Sequence, residues 1–258
     1  MRILITNDDG INAPGLKILE EIAGELSDDV WTVAPELDQS GAAHSLTLRE
    51  PIRLREVGER SFAVRGTPTD CVIMGVRHIL KDKWPALVLS GVNRGSNLAE
   101  DVTYSGTVAG AMEGALLGIR SIALSQAVGA PREGEIRWPT AKAHAPALIR
   151  RLLKTKWPPE VPLNVNFPDR EAGKVEGVVV TRQGRRDKDM LIIDERRDTW
   201  GTPYFWFGYE RRLSKTEKGT DLWAVYSGRI SVMPVGLDLT HLACSEALAA
   251  ALGGQPLS

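Results

Sequence analysis

Asp8 and Asp9 stand side by side directly after the aliphatic run Ile3-Leu4-Ile5, and Gly10 follows them. Two adjacent carboxylates repel each other unless a cation lies between them, and the glycine permits the tight turn that would present both. The pair predicts a hard-cation site for magnesium, manganese or calcium. On these residues alone an acidic turn, with Asp9 capping a helix, explains the pattern equally well.

Three other segments carry groups that could complete such a site. Gln39-Ser40-Gly41 offers a hydroxyl and Ser90-Gly91-Val92-Asn93 an amide oxygen. Two carboxylates plus Ser40 and Asn93 would leave coordination positions for water and substrate, as catalysis requires. Taken singly, each is also an ordinary turn residue. Tyr104-Ser105-Gly106-Thr107 precedes a segment rich in Ala and Gly. Its hydroxyls and the free N–H groups at a helix start form a phosphate cradle, unless Ser105 is simply a helix cap.

Other chemistries find less support. The first strand is not followed by GxGxxG, and GxxxxGK[ST], HExxH and GxSxG do not occur, so dinucleotide, P-loop, zinc-protease and serine-hydrolase readings fall away. His44, His78, His144 and His241 are scattered and read as structural. Cys71 and Cys244 show no CxxC spacing, and free buried thiols are expected rather than zinc or disulfides. The formal net charge of −1, from 32 basic and 33 acidic residues, provides no global field to draw the chain to nucleic acid or a membrane.

The elements that must position these groups follow a βαβ rhythm. Pro14 opens a helical pattern through Leu16, Leu19, Ile22, Ala23 and Leu26, and Val30 to Val33 is a second strand. Ile52 to Val57 and Ser61 to Val64 form a hairpin. A helix over about 69–80, a strand at 86–89, a long polar loop over 90–106, a helix over 107–117 and a strand at 121–124 repeat the doubly wound pattern. A helix over 140–153 and a strand at 163–166 close it. From Gly173 to Gly219 the character changes to short β runs, a charged patch over 182–197, and Tyr204-Phe205-Trp206-Phe207-Gly208-Tyr209. With few aliphatic core residues of its own, this stretch reads as an extended β arm whose aromatics pack on a partner. The tail 253–258 is expected to fray. The amino terminus lacks a signal-peptide run and no apolar stretch reaches about 18 residues, so a cytoplasmic location without membrane attachment is expected.

These motifs, in order, resemble the SurE family, the stationary-phase survival proteins that act as metal-dependent 5′/3′-nucleotidases. The resemblance runs through ILITNDDGINAPG, VAPELDQSG, HSLTL, VRGTPTDCV, SGVNRGSNLAEDVTYSGTVAGAMEG, PLNVNFP and GTDLWAVYSGRISVMPVGLD. It implies that Asp8, Asp9, Ser40 and Asn93 hold one divalent ion per subunit, magnesium or manganese. It also implies that Asn97, Ser105, Gly106 and Thr107 lie on the phosphate side, with Asp8, Asp9 and Asn97 catalytic. The fold it implies is α/β, a Rossmann-like, mostly parallel sheet flanked by helices. Residues 1–170 form the catalytic core; residues 171–258 form a β arm exchanged between subunits of a homodimer or homotetramer, with a return segment packing on the core. The family often reads NLG where this chain has Asn97-Leu98-Ala99, and GYVSVTP where it has Gly228 to Pro234, departures that bear on substrate preference rather than reaction type.

The implied substrates are nucleoside 5′- and 3′-monophosphates, with short polyphosphate as a further one and no duplex nucleic acid. One rival reading makes Asp8 or Asp9 a nucleophile forming an aspartyl phosphate, which the adjacent rather than DxD spacing of this pair disfavours. Another is a non-catalytic nucleotide-binding or interaction protein, since a fold alone does not set function.

Overall fold

The computed structural model describes residues 1–129, 136–187, 191–210 and 213–253. Its centre is a nine-stranded sheet ordered β3-β4-β2-β1-β5-β6-β7-β11-β8. The strands are β1 (Ile3–Thr6), β2 (Val30–Pro35), β3 (Arg53–Gly58), β4 (Ser61–Arg65), β5 (Leu87–Arg94), β6 (Ser121–Gln126), β7 (Leu163–Phe167), β8 (Val178–Val180) and β11 (Ile230–Pro234). The run β4-β2-β1-β5-β6-β7 is parallel, while β3 and β11 pair antiparallel at either end of it.

Burial on both faces explains the β1 sequence. Ile3 and Ile5 pack against α1 (Pro14–Gly24) and α4 (Trp138–Leu153), while Leu4 faces α2 (Pro68–Met74). Alternate residues thus feed opposite layers, as a parallel strand between helices demands. The helix α3 (Gly106–Leu116) lies beside α2. The expected mostly parallel sheet flanked by helices is therefore present, and no helix among the described residues is long and apolar enough to cross a membrane.

Several expectations need revision. The helix expected over 69–80 is α2 followed by a π-helical turn at Gly75–Ile79. The loop expected from Ser90 begins only after Arg94, because β5 continues through a bulge, with a cis peptide at Gly91-Val92, and pairs Asn93 with Ser125. Bulges are common next to sites where a side chain must be re-aimed.

Cys71 is buried as expected, but Cys244 is exposed on α6 (Leu242–Leu252), a helix the sequence pattern does not announce. The arm is narrower than 173–219, since β8 joins the main sheet and Arg182 bridges to Thr220. What stands apart is the ribbon of β9 (Leu191–Arg197) and β10 (Pro203–Tyr209). Trp206 and Phe207 are 60% and 78% exposed on it. Residues 188–190 of the charged patch and 254–258 of the tail lie outside the described residues.

Candidate active site

Chain order places the site. From β1 the chain winds through α1 to β2 on one side, and β5 then enters on the other side of β1. The crevice between the carboxyl ends of β1 and β5 is thus the topological switch point, where open parallel sheets bind ligands. Asp8 and Asp9 follow the end of β1 by two and three residues, and Asn93 lies near the end of β5.

Three loops meet the aspartate pair. The backbone N–H of Gln39 donates to the Asp8 carbonyl at 2.8 Å, setting Ser40 beside β1. The Thr107 hydroxyl donates to Asp8 Oδ1 at 2.5 Å. Gly106 lies so close that a Cβ there would stand 2.8 Å from the Asp8 Cβ. The backbone of Arg94, next to Asn93, counters the effect of burial at the Asp9 carboxylate.

The carboxylates are held against their preference for water. Burial pushes the Asp8 carboxyl up to about 6, with the Thr107 hydrogen bond opposing and the Asp9 charge adding to the rise. Asp9 is half-buried and also raised, again chiefly by burial. Two carboxylates kept partly out of water beside each other suit an incoming cation, which would repay both penalties.

Each expected residue can now be located. Asp9 does not cap a helix: the cap position of α1 is Ala13, which has no side-chain bond. Ser40 is exposed, and it is its backbone N–H that joins the turn, donating to Asp38 Oδ1 at 2.7 Å. Asn93 Nδ2 donates to the Gly95 carbonyl at 2.9 Å, which fixes the orientation of the amide. Ser105 does cap α3, accepting from the Val108 N–H at 3.0 Å, while Thr107 is committed to Asp8. By helix geometry the N–H groups of Gly106 and Thr107 have no intrahelical acceptor. Asn97 is buried, with Nδ2 donating to Ser125 Oγ at 2.9 Å.

Two sets of supporting residues escape sequence reasoning. Asn164 and Asn166 on β7 hold the Asn97 backbone, the Asn97 N–H donating to Asn166 Oδ1 at 2.8 Å and Asn164 Nδ2 to the Asn97 carbonyl at 2.8 Å. Their signal is two polar residues at period two inside an otherwise apolar buried strand. The Ser40 loop is fastened by His44 Nε2 to Glu113 Oε2 at 3.0 Å and by the Ala43 N–H to the Tyr104 carbonyl at 3.2 Å.

Comparison with known proteins identifies the family. The family model for the survival protein SurE matches residues 3–190. The 5'-nucleotidase SurE of Parvibaculum lavamentivorans is 57% identical over 253 residues, covering 98% of this chain and 91% of its own length. The 5'-nucleotidase SurE of Methylobacterium sp. (strain 4-46) is 60% identical over 253 residues, covering 98% and 100%. The crystal structure of the SurE protein from Aquifex aeolicus superposes with a TM-score of 0.84 at 40% identity, over 98% of this chain and 100% of that one. With its acid pair at the switch point, its sheet order and a match along nearly its whole length, the chain belongs to the SurE family.

Proposed function

We propose that this protein is a divalent-metal-dependent 5′-nucleotidase that also accepts 3′-monophosphates, hydrolysing both to nucleoside and inorganic phosphate. The observation that carries the reading is the convergence of the Ser40, Asn93 and Thr107 loops on Asp8 and Asp9 at the β1/β5 switch point. The names of the similar proteins support the reaction class.

The residues fit a hard cation. Asp8 is buried, its carboxyl is raised, and it has a like-charged neighbour. Among the described residues no three His, Cys, Asp or Glu side chains are grouped to hold an ion. An ion at the pair would therefore take its remaining ligands from neutral oxygens, a donor set that suits magnesium or manganese. Asp8, Asp9, the Ser40 hydroxyl and the Asn93 amide oxygen would hold it, one ion per subunit. When bound, it supplies Lewis acidity toward a phosphoryl oxygen and an attacking water.

The chain's own groups do the rest. Asp9, less buried than Asp8, takes a proton from the water as its oxygen attacks phosphorus in line with the departing nucleoside oxygen, which leaves with a proton from solvent water. Asn97, the Ser105 hydroxyl and the N–H groups of Gly106 and Thr107 hold the non-bridging oxygens, where fixed donors favour charge that grows in the transition state. The exposed aromatics of the β9–β10 ribbon suit exchange with a second subunit in a homodimer or homotetramer. A cytoplasmic location and short polyphosphate as a further substrate complete the proposal.

Phosphate release from a panel of nucleoside 5′- and 3′-monophosphates and tripolyphosphate, with acid quench, tests it. Release without any acid-stable phosphoprotein is expected. Tight nucleotide binding without release would favour the binding-protein reading, and a trapped aspartyl phosphate the covalent one.

A further inference from the structure

We infer that Asp221, in the carboxy-terminal segment and remote in sequence from the acid pair, is a positioning residue that holds the Asn97 loop in its working shape. The inference rests on the function proposed above for that loop.

Asp221 opens α5 (Asp221–Tyr226) and is fully buried. Its carboxylate meets three backbone donors: Oδ2 accepts from the Ala99 N–H at 2.8 Å, and Oδ1 from the Gly184 and Leu222 N–H groups at 2.8 and 2.7 Å. Burying a carboxylate is costly unless its lone pairs are met. Capping α5 does not explain the expense, since Thr220 already does so by accepting from the Trp223 N–H at 3.3 Å. Two of the three bonds instead run to distant chain, 122 and 37 positions away.

The tethered residue is itself unusual. Ala99 sits at φ +52°, in the left-handed region that a residue with a Cβ rarely adopts. Asn97, two residues earlier, is held by Asn164, Asn166 and Ser125. The loop is thus pinned on one side by β6 and β7 and on the other by Asp221. Arg186 adds an outer fastening, its Nε 2.9 and 3.0 Å from the Asp101 carboxylate and its N–H 2.9 Å from Glu100 Oε2. Both fastenings come from residues that flank the β9–β10 ribbon in sequence.

The replacement Asp221→Asn isolates the tether. Asparagine keeps the shape but has one acceptor oxygen; turned toward Gly184 and Leu222, it presents an NH2 group to the Ala99 N–H, and the loop is released. In the full-length protein kcat for a nucleoside monophosphate falls about 10- to 100-fold, as for a misplaced catalytic group, with KM unchanged. Mn²⁺ affinity by calorimetry also stays at the wild-type value, because the four proposed ligands lie elsewhere. Amide hydrogen exchange at Ala99, slow in the wild type, becomes fast. Wild-type kcat in the folded variant, or Mn²⁺ affinity lost in parallel with kcat, would overturn the assignment. If Asp221→Asn fails to fold, the wild type decides: exchange at the Ala99 amide as fast as that of an exposed loop amide rejects the tether. A wild type inactive with every substrate and metal would instead refute the proposed function, while exchange at Ala99 still reports the tether itself.

Discussion

Thr107 reaches Asp8 from the first turn of α3, its hydroxyl 2.5 Å from Oδ1 across 99 positions of sequence. The bond favours the ionised carboxylate against the burial that raises it. Replacing Thr107 by Val removes the donor and keeps the branched shape. A hydrogen bond to a charged group is worth about 1.5–3 kcal/mol, so kcat/KM should fall about 10- to 100-fold. Mn²⁺ binding should weaken more at pH 6 than at pH 8, because the proton on Asp8 becomes harder to displace. Calorimetric titrations at the two pH values check this; equal weakening at both would contradict it.

The metal-free protein should lose stability as pH rises. Asp8 has an ordinary value of 3.8 and is raised to about 6 in the fold, so between about 4 and 6 the folded chain binds more protons than the unfolded one. Stability therefore falls through that window and stays low above it, by about 3 kcal/mol at most for this group. Thermal melts in EDTA at pH 5 and 7 should show the lower midpoint at pH 7. Added Mn²⁺ should remove the difference.

Asp9→Asn keeps the size of a half-buried side chain and removes one of two repelling charges. Turnover should drop to about a thousandth or less, as when a group essential to the transition state is lost, with the circular dichroism spectrum and melting temperature retained. Normal turnover would sink the assignment of Asp9.

Two glycines should respond in opposite ways to alanine. At Gly106 the new Cβ would stand 2.8 Å from the Asp8 Cβ and 3.0 Å from Oδ2; the carboxylate must move, and phosphate release should fall by more than tenfold, roughly the penalty of misplacing a catalytic group. At Gly24, near the end of α1, nothing lies within 4 Å. There alanine should raise stability by up to about 1 kcal/mol through helix propensity and leave turnover alone. Melting curves and phosphate release on the two variants separate the cases.

Much of the core is legible from local pattern, because β1, α1 and β2 each carry a periodicity that matches their buried faces: Ile3 and Ile5 against Leu4, and Leu16, Leu19, Ile22 and Ala23 along one stripe. What is not legible depends on neighbours distant in sequence. Ser90 to Asn93 looks like loop because Ser90, Gly91 and Asn93 are polar, small or turn-forming, yet flanking strands β1 and β6 keep it in the sheet. The helix α6 buries none of its residues, so it has no apolar stripe to read. The Asp8-Asp9 pair announces itself by charge density alone, whereas the Asn164-Asn166 support and the Asp221 tether emerge only once the sheet order brings them to Asn97.

Turnover depends on an ion held by Asp8 and Asp9. The decisive experiment follows phosphate release from a nucleoside 5′-monophosphate by EDTA-stripped protein as Mn²⁺ or Mg²⁺ is added back. The stripped protein should release no phosphate, either ion should restore release as it saturates the site, and Asp9→Asn should not recover. Undiminished release in excess EDTA would contradict that dependence.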